Sequence, residues 1–156
     1  MASEVTVFVV FRSEETSTPI DIRIAAHHVS AQQPRWSIGA VGQRSFRLGR
    51  YDQLPVLVTL QQGFAIAEES RLMAKQLRKL VEPRILESLA GGTARLELHW
   101  DLRADRDVVP ETASLIIDCA QALARLTQGV TLVEGTRVVD SETEFDNVQA
   151  FAALFP

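Results

Sequence analysis

The first clear hydrophobic pattern in the chain is the segment 4–11, which is apolar on both of its alternating faces. Val7 and Val9 lie on one face, and Phe8 and Val10 lie on the other. Successive side chains of a strand point to opposite faces, so neither face of this strand tolerates water. The pattern predicts a central strand in a sheet that is covered on both sides.

Three further segments alternate in the manner of strands: 35–48, 54–60 and 93–101. The last one is the most clearly amphipathic, because every second residue is charged or polar. Its polar face consists of Arg95, Glu97, His99 and Asp101. One solvated face is most easily accommodated at the edge of a sheet, so we expect 93–101 to be an edge strand.

The segment 20–31 fits two structures. Ile20, Ile22 and Ile24 alternate as in a strand, but the apolar positions also fit one face of a helix. We prefer the helix, with Thr18 as its cap and Pro19 at its first position, because it completes the order of elements of a ferredoxin-like sandwich.

The longest predicted helix is 64–90. Its apolar positions follow the three-and-four spacing of an amphipathic helix, and Gly91 and Gly92 end it. Pro83 removes a hydrogen bond and crowds the preceding turn, which predicts a kink or two abutting helices. The outer face of this helix is basic and includes Arg71, Lys75 and Arg78.

The order of these elements predicts one α+β domain, 1–156. Strand, helix, strand, strand, helix and strand in 1–101 are typical of a ferredoxin-like (split β-α-β) sandwich with a four-stranded, mainly antiparallel sheet. The segment 102–156 predicts a helix–hairpin–helix extension. Phe8 and Val10 need a cover on the second sheet face, for which we expect the extension or a second copy in a homodimer.

Composition narrows the functional classes. The net charge is −4 with a pI near 5.4, which argues against a broad nucleic-acid surface. The single cysteine, Cys119, excludes an intrachain disulfide and favours a reducing compartment. No signal peptide or membrane span is evident, so we expect a cytoplasmic protein with no membrane partner.

The candidate metal ligands do not predict a metal or cofactor site. His27, His28, His99 and Cys119 lack the short, repeated spacings of zinc ligands. Cys119 lies on an apolar helix stripe and is expected to be a buried, inert thiol.

Three functions are consistent with the sequence. The first is a non-enzymatic protein-binding module, such as a small bacterial immunity or adaptor protein. The alternative is a small enzyme or ligand-binding domain that uses His99 and Asp101 together with His27 or His28. The third is nucleic-acid or phosphate binding through the basic face of the helix 64–90. For the first function, the expected partner-binding residues are Arg95, Glu97, His99, Asp101, Arg71, Lys75 and Arg78.

Overall fold

A computed structural model describes residues 4–15, 20–50, 53–79, 83–101, 109–133 and 137–140. Within these ranges the chain forms a seven-stranded sheet and four α-helices. The strands are β1 (Glu4–Phe11), β2 (Ser37–Gly39), β3 (Ser45–Arg50), β4 (Gln53–Gln62), β5 (Ala94–Asp101), β6 (Val130–Val133) and β7 (Arg137–Asp140). The helices are α1 (Ile22–Gln32), α2 (Phe64–Leu77), α3 (Pro83–Ala90) and α4 (Val109–Thr127). The predicted α+β class is confirmed.

The strand order is β2-β3-β4-β5-β1-β6-β7, and all neighbouring strands are antiparallel. β1 lies between β5 and β6, with Val9 opposite Leu96 on one side and Thr131 on the other. The predicted central position of β1 is therefore confirmed. The predicted hairpin near the C-terminal end is also present as the β6–β7 pair.

The four-stranded ferredoxin-like arrangement is wrong. It would place β1 directly beside β4, whereas β5 lies between them: Trp100 is opposite Val5 of β1 and Val56 of β4. β5 is thus a central strand and not an edge strand. The alternation of β5 does not reflect solvent at Arg95, Glu97 and His99, because these side chains pair with one another and, through Arg95, with α2.

One face of the sheet is covered by α1 and α4, and its core is apolar. It includes Val7, Val9, Phe46, Leu48, Val56, Val58, Leu96, Leu98 and Trp100 from the strands. The helix prediction for 20–31 is confirmed, but the predicted cap is wrong. α1 begins at Ile22, after Asp21 accepts a hydrogen bond from the amide of Ile24 at 2.8 Å; Thr18 and Pro19 lie outside the described residues.

The other face is covered by α2 and α3. Val10 is buried in a second cluster with Ala74, Leu77, Leu89 and Val130, and Phe8 packs against it. The sequence predicted that the C-terminal extension or a second copy would cover Val10 and Phe8. Among the described residues most of this cover comes instead from the region 64–90, because α2 and α3 lie on the sheet face opposite α1, and the extension contributes Val130. The homodimer stays a prediction.

Pro83 begins α3, as the prediction of two abutting helices requires. Residues 80–82 and the predicted final helix, 141–156, lie outside the described residues. No helix within the described ranges is both long enough and apolar enough to cross a membrane.

Candidate functional site

A polar network lies on the sheet face that carries α2 and α3. Leu96 and Leu98 of β5 point into the apolar core on the opposite face, so Arg95, Glu97 and His99 point towards α2 and α3. Their side chains are 13%, 10% and 26% exposed, respectively. These predicted partner-binding residues are therefore largely covered and do not form a solvated face.

Hydrogen bonds join the three side chains to one another and to β1. Arg95 Nε donates to Glu97 Oε2 at 2.5 Å, and Glu97 Oε1 lies 3.1 Å from His99 Nε2. His99 Nδ1 lies 3.3 Å from Thr6 Oγ1, directly across on β1. Both ring nitrogens of His99 thus have partners within the protein, which leaves neither directed at a substrate.

Arg95 also connects the sheet to α2. One terminal guanidinium nitrogen lies 2.5 Å from Glu69 Oε2, and the guanidinium carbon is 4.6 Å from the centre of the Phe8 ring. A guanidinium group can pair with carboxylates through its edge while its face lies on an aromatic ring. Arg95 therefore holds α2, β5 and β1 together.

The charge of Glu97 depends on this network. Burial alone would raise the pKa of Glu97, but hydrogen bonds from His99 and Arg95 and the positive charge of Arg95 together lower it below the ordinary value of 4.5. Glu97 is therefore a carboxylate at neutral pH. A carboxylate held by two donors stabilises its neighbours and is poorly suited to act as a general acid.

The structure does not bring His27 or His28 of the predicted enzyme site close to His99. His27 and His28 lie on α1, which packs on the apolar face, whereas His99 faces the opposite side of the sheet. General acid–base partners must reach one substrate, which the intervening sheet prevents. For Asp101 the structure describes the backbone, which pairs with Glu4 of β1, and not the side chain.

Metal and thiol chemistry find no support among the described residues. No group of three or more His, Cys, Asp or Glu side chains there could hold a metal ion. Cys119 is fully buried, and its pKa is raised by burial and by the neighbouring charge of Asp118. The prediction that Cys119 is buried is confirmed, and a raised thiol pKa makes it unreactive.

The outward face of α2 has a different character. Phe64 is 79% exposed and Leu72 is 56% exposed. At about 100° per residue, these two side chains and three cations share an arc of about 120° on the helix. We call this face the α2 outer surface: Phe64, Arg71, Leu72, Lys75 and Arg78.

Its charges are only partly balanced by the acidic residues of α2. Glu68 pairs with Arg71, three positions along the helix. Glu69 turns towards the sheet and pairs with Arg95. Among the residues that the structure describes, no carboxylate forms an ion pair with Lys75 or Arg78.

The cations of this surface were predicted from the sequence, whereas Phe64 and Leu72 were not. A signal was available, because both residues lie off the apolar stripe that includes Ile66, Met73 and Leu77. A large apolar side chain off the buried stripe of a helix indicates exposure.

Comparison with known proteins does not assign this chain to a family. The chain matches no protein-family model, no curated protein and no solved structure. Function must therefore be inferred from the geometry of the molecule itself.

Proposed function

We propose that this chain is a non-enzymatic protein-binding module and that it binds its partner through the α2 outer surface. The observation that carries the proposal is the exposure of Phe64 at 79% and of Leu72 at 56% on one face of one helix. Single exposed apolar residues are common on protein surfaces. Two large ones among cations on one helical face form the kind of patch that partners cover.

The charge of the surface defines the chemistry of the partner. Glu68 is paired with Arg71, and Glu69 is paired with Arg95, so neither neutralises Lys75 or Arg78. An acidic surface with an apolar recess would complement both features. Phe64 would fill the recess, and the cations would meet the acidic rim, since buried aromatic anchors supply most of the affinity in many interfaces.

The rest of the molecule supports a binding role. The only polar network described within the sheet uses its hydrogen bonds internally, and it fixes α2 on the sheet through Arg95 and Glu69. A rigid helix presents a binding face at low entropic cost. Small bacterial immunity and adaptor proteins are the class we propose, since they act by binding and need no catalysis.

The proposal is tested by affinity capture. The chain of 156 residues is immobilised, as the wild type and as three variants, and is then incubated with native extract. Phe64→Ala/Leu72→Ala removes the apolar patch, and Lys75→Glu/Arg78→Glu reverses the charge. Val41→Ala is the matched control, because Val41 is 49% exposed but lies between β2 and β3. Circular dichroism checks that each variant is folded.

The proposal is supported if the wild type and the Val41 variant both capture the same acidic protein. Its purified form should bind the apolar double variant at least about 30-fold more weakly, because hot-spot side chains each contribute about 2 kcal/mol or more. The charge variant should mainly slow association, and the effect should shrink with salt. Equal binding by the wild type and the apolar double variant would refute the proposal, as would capture of no partner.

A nucleic-acid partner makes a different prediction for the same cations. Binding would then fall steeply with salt and would persist in the apolar double variant. The net charge of −4 and the two exposed apolar side chains favour the protein partner.

A further inference from the structure

A polar groove lies on the opposite side of the molecule from the α2 outer surface, between the end of α1 and α4. It consists of two cavities of about 190 and 340 Å³ that meet at Gln33 and Asp118, which line both. The smaller cavity extends to Arg35 and Trp36, and the larger one extends to Arg125. We call this the α1/α4 groove.

The centre of the groove is negative. Asp118 is half-buried, and in the part of the chain that the structure describes no donor bonds to its carboxylate and no cation lies within 4 Å. Burial raises the pKa of Asp118 above its ordinary value, an effect that the charges of Arg125 and Arg35 partly offset. The C-terminal end of α1, at Gln33, adds the partial negative charge of a helix dipole.

A positive group lies at the end of the groove that is formed by the smaller cavity. Arg35 is exposed there beside the partly buried Trp36 ring. Among the described residues, Arg35 has no ion-pair partner, so its planar guanidinium can receive a carboxylate through two hydrogen bonds. Two guanidinium groups, of Arg35 and Arg50, and two carboxylates, of Asp118 and Glu111, thus line this cavity, and Arg35 and Asp118 are not paired to each other.

We infer that the α1/α4 groove binds a small zwitterion of amino-acid size, with its ammonium group at Asp118 and its carboxylate at Arg35. The half-buried carboxylate of Asp118 has no cation within 4 Å among the described residues, and an ammonium group would supply that charge together with three donors. The smaller cavity, which Arg35 and Asp118 both line, has a volume of about 190 Å³ and lies below the range for drug-sized ligands, which limits the ligand to a small molecule. This site is independent of the protein-binding surface on α2.

The test uses nuclear magnetic resonance spectra of the isotope-labelled full-length chain with three probes. L-Glutamine carries both charged groups and a side chain suited to a polar groove. N-acetyl-L-glutamine lacks the ammonium group, and L-glutaminamide lacks the carboxylate. We expect L-glutamine to shift the backbone signals of Gln33, Trp36 and Asp118, with a dissociation constant between about 0.1 and 10 mM, as for other small, weakly bound ligands. Each of the other two probes should bind at least tenfold more weakly.

Two variants connect this binding to the proposed contacts. Asp118→Asn and Arg35→Gln should each weaken L-glutamine binding at least tenfold. Glu87→Gln, an exposed carboxylate change on α3 across the sheet, should leave it unchanged. The inference is refuted if 10 mM L-glutamine shifts no signal in the groove, if both derivatives bind as well as L-glutamine, or if it binds both groove variants as well as the wild type.

Discussion

The two faces of the sheet are built from the same strands but are stabilised differently. Beneath α1 and α4, alternate residues of β1 and β5 form a continuous apolar core that includes Val7 and Leu98. Beneath α2 and α3, the intervening residues divide into an apolar cluster around Val10 and a polar network around Glu97. The first face relies on burial, and the second relies on burial and on directed polar bonds.

This difference assigns different roles to the helices. Apolar contacts are non-directional, so the α1/α4 face contributes mainly stability. Hydrogen bonds and ion pairs have defined geometry, so the Arg95–Glu69 contact fixes where α2 lies on the sheet. The helix that presents the proposed binding surface is therefore the one held by the polar network.

The largest expected effect comes from truncating the apolar face. Leu98→Ala should reduce the free energy of unfolding by about 2–5 kcal/mol, because Leu98 is fully buried. Leu57→Ala, the matched change on the partly exposed part of the α2 face, should cost about 1 kcal/mol, a typical value for a point substitution. Urea denaturation measures both values, and equal losses would show that the two faces are not distinguished by burial.

The second-largest expected effect tests whether the stability that the polar network contributes depends on the ion pair between Arg95 and Glu97. Glu97→Gln should reduce the free energy of unfolding by about 1–3 kcal/mol, because it removes one of the two carboxylates that pair with the largely buried guanidinium group of Arg95. The double variant Arg95→Met/Glu97→Leu should recover most of this loss, since an apolar pair often replaces a buried ion pair at no cost. The double variant also removes the contact between Arg95 and Glu69. If it is less stable than Glu97→Gln, that contact contributes more to stability than the ion pair between Arg95 and Glu97.

The smallest effect is a contrast in pH dependence between the two faces. The pKa of Glu97 is lowered below 4.5, so its stabilising contribution is present above pH 4.5 and is lost as the pH falls through the folded-state pKa. The pKa of Asp118 is raised above 3.8, so its contribution is present below pH 3.8 and is lost as the pH rises through the folded-state pKa. The two carboxyl groups therefore act in opposite directions.

Urea unfolding of Glu97→Gln and Asp118→Asn between pH 3 and 7 measures this contrast. The reduction in the free energy of unfolding that Glu97→Gln causes should become smaller as the pH falls below 4.5. Asp118→Asn should raise the free energy of unfolding by up to about 0.5 kcal/mol at pH 7, and this increase should disappear below pH 3.8. A gain from Glu97→Gln at pH 7 would contradict the assignment of that residue to a stabilising network.

Most elements could be predicted from the sequence, because each depends on a local period. The strand β1 follows from the spacing of apolar residues, and the break in the region 64–90 follows from Pro83. The spacing over 20–31 fits a strand and a helix equally, and the helix is preferred because it completes the ferredoxin-like topology. The strand order could not be predicted in this way, since it depends on which distant segments pair. The alternation in β5 therefore predicted an edge strand, although β5 lies between β1 and β4.

The candidate sites were predictable to different degrees. Lys75 and Arg78 are exposed, as a basic helix face implies. Glu69 lies on the same helix as these cations, but it pairs with Arg95, a contact between segments that no helical period reveals. The α1/α4 groove could not be predicted for the same reason, because Arg35 and Asp118 line one cavity only in the folded chain.

The central position of β1 also has a consequence for protein synthesis. Thr6 contacts His99, which is 93 residues further along the chain. At about 5–20 residues per second, β1 leaves the ribosome roughly 5–20 s before its partner strand β5 leaves it. During this interval an apolar strand is available to chaperones or to other nascent chains, so the growing polypeptide is more open to aggregation than the folded protein.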